Sequence, residues 1–143
     1  METLITLDCS NYSDNLETIL KLFQQIGWTI YNSEGQAEFL PLGDQDDYDW
    51  QRQNLPENMI YNILAKKREN QEIIGINLFY EKGTEGISLL AQDTSQITLS
   101  IGINRRLLNK RHTDTIWYLQ NIIYKLFDMG VRITSYTVEE FED

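Results

Sequence analysis

Between residues 74 and 103 apolar and small or polar residues alternate with a period of two, three times in succession. Ile74, Ile76, Leu78 and Tyr80 alternate first, then Ile87, Leu89 and Ala91. Ile97, Leu99, Ile101 and Ile103 follow, with Thr98, Ser100 and Gly102 between them. Successive side chains of a strand point to opposite faces, so this pattern describes strands with one buried face. The segments between them, Lys82 to Gly86 and Asp93 to Ser95, are too short for a parallel crossover. The three strands must therefore form an antiparallel meander. A sheet of this kind needs a cover for its apolar face, and the rest of the chain has to supply it.

Three helical patterns meet that need. Leu16, Ile19, Leu20, Phe23 and Ile26 recur at steps of three and four, which places them on one helix face. Ser13 or Asp14 is the expected cap, Asp14 and Glu17 having capping-box spacing, and Gly27 is the expected left-handed stop. A second helix is expected from Asn54, with Pro56 in its first turn and Glu57 at capping-box distance from Asn54. Met59, Ile60, Ile63 and Leu64 form its stripe, and Lys66, Lys67 and Arg68 suit its carbonyl end. Thr113 or Asp114 opens a third helix whose inner face is Ile116, Leu119, Ile123 and Leu126/Phe127, joined by Trp117 and Ile122, and Gly130 ends it.

Leu4 to Leu7 read as a first strand. Trp28 to Tyr31 read as another, turning through Asn32-Ser33-Glu34-Gly35 into a partner strand at Ala37 to Leu42. Val131 to Val138 read as the last. Gly43 to Asn54 is expected to be a surface loop, Asn104 to His112 a basic connection, and Glu139 to Asp143 an acidic tail that frays. The order is β-α-β-β-α-β-β-β-α-β. It predicts an α+β fold with an antiparallel or mixed sheet and helices packed on one face. No repeat or linker divides residues 1–143, a length that suits one domain with its own core.

Charge narrows the function classes. Twenty-two acidic residues against 12 basic ones give a net charge of -10, which argues against general binding of nucleic acid phosphates. Five Phe, three Trp and eight Tyr argue against disorder. The single Cys9 forms no internal disulfide and fits a reducing compartment. It follows an apolar run and has Asp8 beside it, so a buried or half-buried thiol is expected rather than a reactive one. Met1-Glu2-Thr3 lacks the positive start of a signal peptide, and no stretch approaches the roughly 18 apolar residues of a membrane span. The expected compartment is the cytoplasm.

The charge is clumped. Asp44, Asp46, Asp47 and Asp49 lie within six residues, interleaved with Tyr48 and Trp50. As an EF-hand loop counted from Asp44, the segment has Asp49 where Gly is needed and Leu55 where Glu is needed, so the calcium pattern fails. A solvated loop, a protein-binding loop and a hard-cation site are the three readings. The two rings favour the second over plain solvation, since Trp and Tyr among carboxylates offer apolar contact area within a field that suits Lys and Arg. Arg105, Arg106, Lys110 and Arg111 form the opposite feature, leaving 22 acids against 8 bases elsewhere, a balance of -14. No RNA-binding signature accompanies this island, so a solvated connection paired with acidic loops is expected. His112 is the only histidine and has no neighbouring His or Cys with which to hold zinc. Gly75, Gly83 and Gly86 fit no phosphate-cradling spacing. The sequence therefore points to no catalytic residue, no metal and no cofactor.

The stretches Phe39-Leu40-Pro41-Leu42-Gly43-Asp44, Asp47-Tyr48-Asp49-Trp50 and Trp117-Tyr118-Leu119 resemble those of small bacterial proteins of this size. With the acidity and single-domain length, the whole chain is similar in style to the immunity proteins of bacterial polymorphic toxin systems. That resemblance implies a non-enzymatic inhibitor that binds a cognate toxin domain. The partner expected is a basic protein, approached by charge steering, with Asp44, Asp46, Asp47 and Asp49 as charged elements and Tyr48 and Trp50 as anchors. Two other classes compete. A DNA-mimicking antidefence protein would also be acidic, but needs carboxylates spaced in rows. A small ligand-binding domain or enzyme would need groups such as Tyr80, Tyr118, His112 and the Asp loop to converge in a pocket, and a structural subunit of a larger complex would look the same in sequence as the first class.

Overall fold

A computed structural model describes residues 2–142. Its eight strands are β1 (Glu2–Asp8), β2 (Trp28–Thr29), β3 (Ala37–Phe39), β4 (Gln51–Gln53), β5 (Ile74–Tyr80), β6 (Gly86–Ala91), β7 (Ile97–Ile103) and β8 (Ser135–Phe141). Helix α1 (Leu16–Gln25) follows β1 and α2 (Glu57–Glu69) follows β4. A third helix runs from α3 (Thr115–Tyr118) through a π turn (Leu119–Ile123) into α4 (Tyr124–Asp128). All pairings are antiparallel, in the order β4-β3-β5-β6-β7-β1-β8, with β2 also on β5. The α+β fold is the one expected, and no helix among the described residues is long and apolar enough to cross a membrane.

The meander forms as its alternation requires. Ile76, Leu89, Leu99, Ile5 and Val138 stand opposite one another across five strands. Their face joins one apolar cluster with Leu16, Ile19, Leu20 and Phe23 of α1, Ile60 and Leu64 of α2, and Ile122, Ile123 and Leu126 of the third helix. The other face carries Asn77, Ser88, Ser100 and Leu4 in the matching row, all half-buried. An irregularity between Gly86 and Ser88 pairs Gly86 with Ile103. This β-bulge shifts the alternation by one residue and turns Ile103 to the open face.

Several local expectations are corrected. Asn15 caps α1 by accepting the Thr18 amide, in place of Ser13 or Asp14. The second helix starts at Glu57 behind Pro56 and has no side-chain cap, so the Asn54/Glu57 box does not form. Met59 of its expected stripe is 45% exposed. β2 and the strand after it meet only at the Tyr31–Ala37 bridge, because each pairs with β5 instead. The loop expected from Gly43 to Asn54 contains β4, whose Gln-Arg-Gln sequence has no apolar alternation to announce it. Residues 139–141 are strand rather than frayed tail, because β1 pairs with them, and Asp143 lies outside the described residues.

The third helix is the largest departure. Asp114 caps it, one of the two residues expected, through the Trp117 amide. Ile116 and Phe127, expected inside, are 63% and 43% exposed, whereas Tyr118 is buried. The π turn inserts extra residue width and breaks the 3.6 period. It is keyed from outside the helix: the Trp28 indole donates to the Asn121 carbonyl at 3.0 Å. The Asn121 side chain donates to the Trp117 carbonyl and accepts from the Tyr80 hydroxyl. Gly130, at φ +85°, closes the helix. Its amide and that of Val131 bond back to Phe127 and Leu126, the two bonds of a Schellman stop.

Candidate protein-binding surface

The acidic loop is organised from beneath by a buried ion pair. Helix α2 ends with Gln71 at φ +58°, its amide on the Arg68 carbonyl and the Glu72 amide on the Lys67 carbonyl. This Schellman turn, with Gln in the place usually held by Gly, folds Glu72 back against Lys67 of the preceding turn. The Lys67 side chain is fully buried. All three of its donors are used, on the Pro41 carbonyl at 2.7 Å, the Asp44 carbonyl at 3.0 Å and Glu72 Oε1 at 3.1 Å. Glu72 also accepts from the Gly43 amide at 2.7 Å and from Asn70. Burial pushes the Glu72 pKa up, but the Gly43 amide, Lys67 and Asn70 outweigh it and hold the carboxyl below its ordinary value. Lys67, expected only as a charge suited to the carbonyl end of its helix, is thus the peg on which the start of the loop hangs.

Above the peg the six expected binding residues divide. Asp44 is buried, and its carboxylate accepts the amides of Asp47 and Tyr48 at 3.1 Å each and of Asp49 at 2.7 Å. These bonds wrap the chain tightly enough to hold Tyr48 at φ +53°, a conformation that costs a bulky L-residue free energy and persists only where its surroundings impose it. Asp46, Asp47 and Asp49 are exposed, and none forms an ion pair with the described residues. Tyr48 is 49% exposed and Trp50 half-buried. Among the described residues no three His, Cys, Asp or Glu side chains are placed to hold a metal ion.

The two rings lie on the open face of the sheet. Tyr48 and Gln45 border a depression of about 490 Å³ against Leu90, Gln96 and Thr98. Trp50 borders a second, of about 530 Å³, with Phe79, Leu90 and Ile103. Leu90 borders both, so the two adjoin. The floor of the second is a polar chain that pattern reading did not single out. Arg52 donates to Glu38, Asn77 donates to Glu38, and Ser88 donates to Asn77. Glu38 is raised by burial, but its bonds from Asn32, Asn77 and Arg52 prevail and leave it below the ordinary carboxylate range. The polar positions of the strand alternation were the available signal for this face. Gly75 stands beneath the start of the loop, where a Cβ would come within 2.6 Å of the buried Leu40 side chain.

The basic segment lies elsewhere and is mostly occupied. Arg106 pairs with Glu85 and Asp114 and stacks 5.1 Å over the Trp117 ring. Arg105 donates to Thr113, and Arg111 pairs with Glu142. Tyr118 is buried with its hydroxyl accepting the Arg106 amide, His112 sits exposed in a turn made by Asn109, and Tyr80 is held by Asn121. The depression bordered by Tyr48 contains none of these three groups, and Tyr80 borders a separate one with Thr29, Tyr31 and Asn104. Cys9 is buried, and desolvation with Asp8 nearby pushes its thiol to about 11. No family model, curated protein or solved structure matches the chain.

Proposed function

We propose that this chain is a non-enzymatic module that binds a basic protein domain across the open face of its sheet, in the manner of the bacterial toxin-immunity proteins it resembles. One observation supports the reading above others. The loop is fixed from inside by Asp44, Lys67 and Glu72, while Asp46, Asp47 and Asp49 lie at the surface beside Tyr48 and form no ion pair with the described residues. A rigid loop loses little entropy on docking. Its carboxylates attract a Lys- or Arg-rich surface during approach, and the rings then supply buried contact area. In this reading Asp44 positions the loop and the other three carboxylates meet the partner. The inhibitor would act in the cytoplasm of the cell that makes the toxin.

The test is co-expression with the C-terminal domain of the protein encoded immediately upstream, followed by titration of the purified pair. Asp46, Asp47 and Asp49 changed together to Asn should slow association and weaken binding at least tenfold at low salt, with little difference at high salt. Equal affinity of the triple variant at low salt, or no complex with that domain, defeats the proposal.

A further inference from the structure

The two ends of the sheet are protected differently. β4 is an edge of three residues and carries Arg52, and short or charged edges resist pairing with other chains. At the opposite end β8 runs for seven residues in unbroken register with β1, from Ser135 opposite Asp8 to Phe141 opposite Glu2. It has no proline, lysine or bulge. Its outer side pairs with no described strand, and every residue except Val138 is exposed although all seven are paired to β1. A row of backbone donors and acceptors is thus left open along about 20 Å of strand.

The side chains beside this edge select what can join it. Glu139 projects on the open face next to Leu4, with Glu2 two pairs further along on the same face. Glu140 projects on the other face and is engaged by the Thr113 amide and the Thr3 hydroxyl. Arg111 pairs with Glu142, whereas Glu139 and Glu2 form no ion pair with the described residues. A second copy of this chain laid along β8 would bring together two molecules of net charge -10 at an edge that itself carries carboxylates, which is unfavourable. We propose that β8 is a docking edge that takes an extended segment bearing Lys or Arg at alternate positions as a ninth strand. Main-chain bonds would hold the segment, and cations opposite Glu139 would select it. This surface lies at the far side of the sheet from β4 and does not depend on the docking loop.

The full-length protein is titrated with a capped decapeptide of alternating Lys and Val, with a Glu-Val decapeptide as the control, while backbone amide exchange is followed by NMR. The Lys-Val peptide should bind and slow exchange within Ser135–Phe141 at least tenfold, and the Glu-Val peptide should not. Glu139→Lys should weaken binding at least tenfold while leaving the circular dichroism spectrum unchanged. Val138→Pro, which removes an edge donor, should abolish it. No saturation by 1 mM peptide, equal binding of both peptides, or protection centred on residues 44–50 overturns the proposal. So does a dimer formed through β8 in the absence of peptide.

Discussion

The acidic loop and the basic segment are two charged, mostly exposed stretches of similar length, and they are held in opposite ways. The loop is fastened from inside. Buried Lys67 and Asp44 bond to its backbone, and its outward carboxylates are left without partners. The segment at 105–111 is fastened from outside, its guanidinium groups bonded to Thr113, Glu85, Asp114 and Glu142. A charged side chain used as a strut is no longer free to meet a partner. The difference explains why net charge alone is a poor guide to where a protein binds: what matters is which charges the fold has already consumed.

The comparison breaks most severely at Lys67. Lys67→Met should cost about 3–5 kcal/mol, because it strands the Glu72 carboxylate in the interior together with two carbonyls. Urea denaturation would register that as a lowered midpoint. The double change Lys67→Met with Glu72→Leu should regain much of the loss, since no buried charge then remains unpaired. A double variant as unstable as the single one would mean that the carbonyl bonds, not the ion pair, dominate.

Asp44→Ala should cost less, about 1–3 kcal/mol, by leaving three loop amides without their acceptor. Hydrogen exchange at Asp47, Tyr48 and Asp49 should quicken while exchange in residues 105–111 stays as it was. Uniform quickening would show that the loop is not an independently fastened unit. The smallest effect is expected at Arg111. Its pair with Glu142 is 65% and 77% exposed on the two sides, and Arg111→Ala should shift stability by less than about 0.5 kcal/mol. A larger loss would make the outer fastenings equal to the inner ones.

The meander was legible because its strands bury one face along their full length, so Ile97, Leu99 and Ile101 had to alternate. α1 was legible for the same reason at a different period. β4 was not, because an edge strand of Gln, Arg and Gln is specified by its pairing with β3 rather than by burial. Nor was the role of Lys67. A lysine at a helix end is ordinarily solvated, and only the return of the chain at Gln71 brings Glu72 to it, while the loop brings the Pro41 and Asp44 carbonyls. The acidic loop was located correctly as a surface feature, but the division between Asp44 and its neighbours depends on which carboxylate turns inward, and four aspartates within six residues do not disclose that.

The π turn in the third helix has a consequence for how this chain can vary. Residues before it and after it keep separate registers, joined at the point where Trp28 grips the Asn121 carbonyl. Removing one residue from 119–123 would close the wide turn into a regular helix with little rotation of the residues downstream, but it would take away the Asn121 carbonyl and leave the buried Trp28 indole without its acceptor. The extra residue is therefore locked to a tryptophan more than ninety positions earlier, and either one can be lost only if the other changes with it.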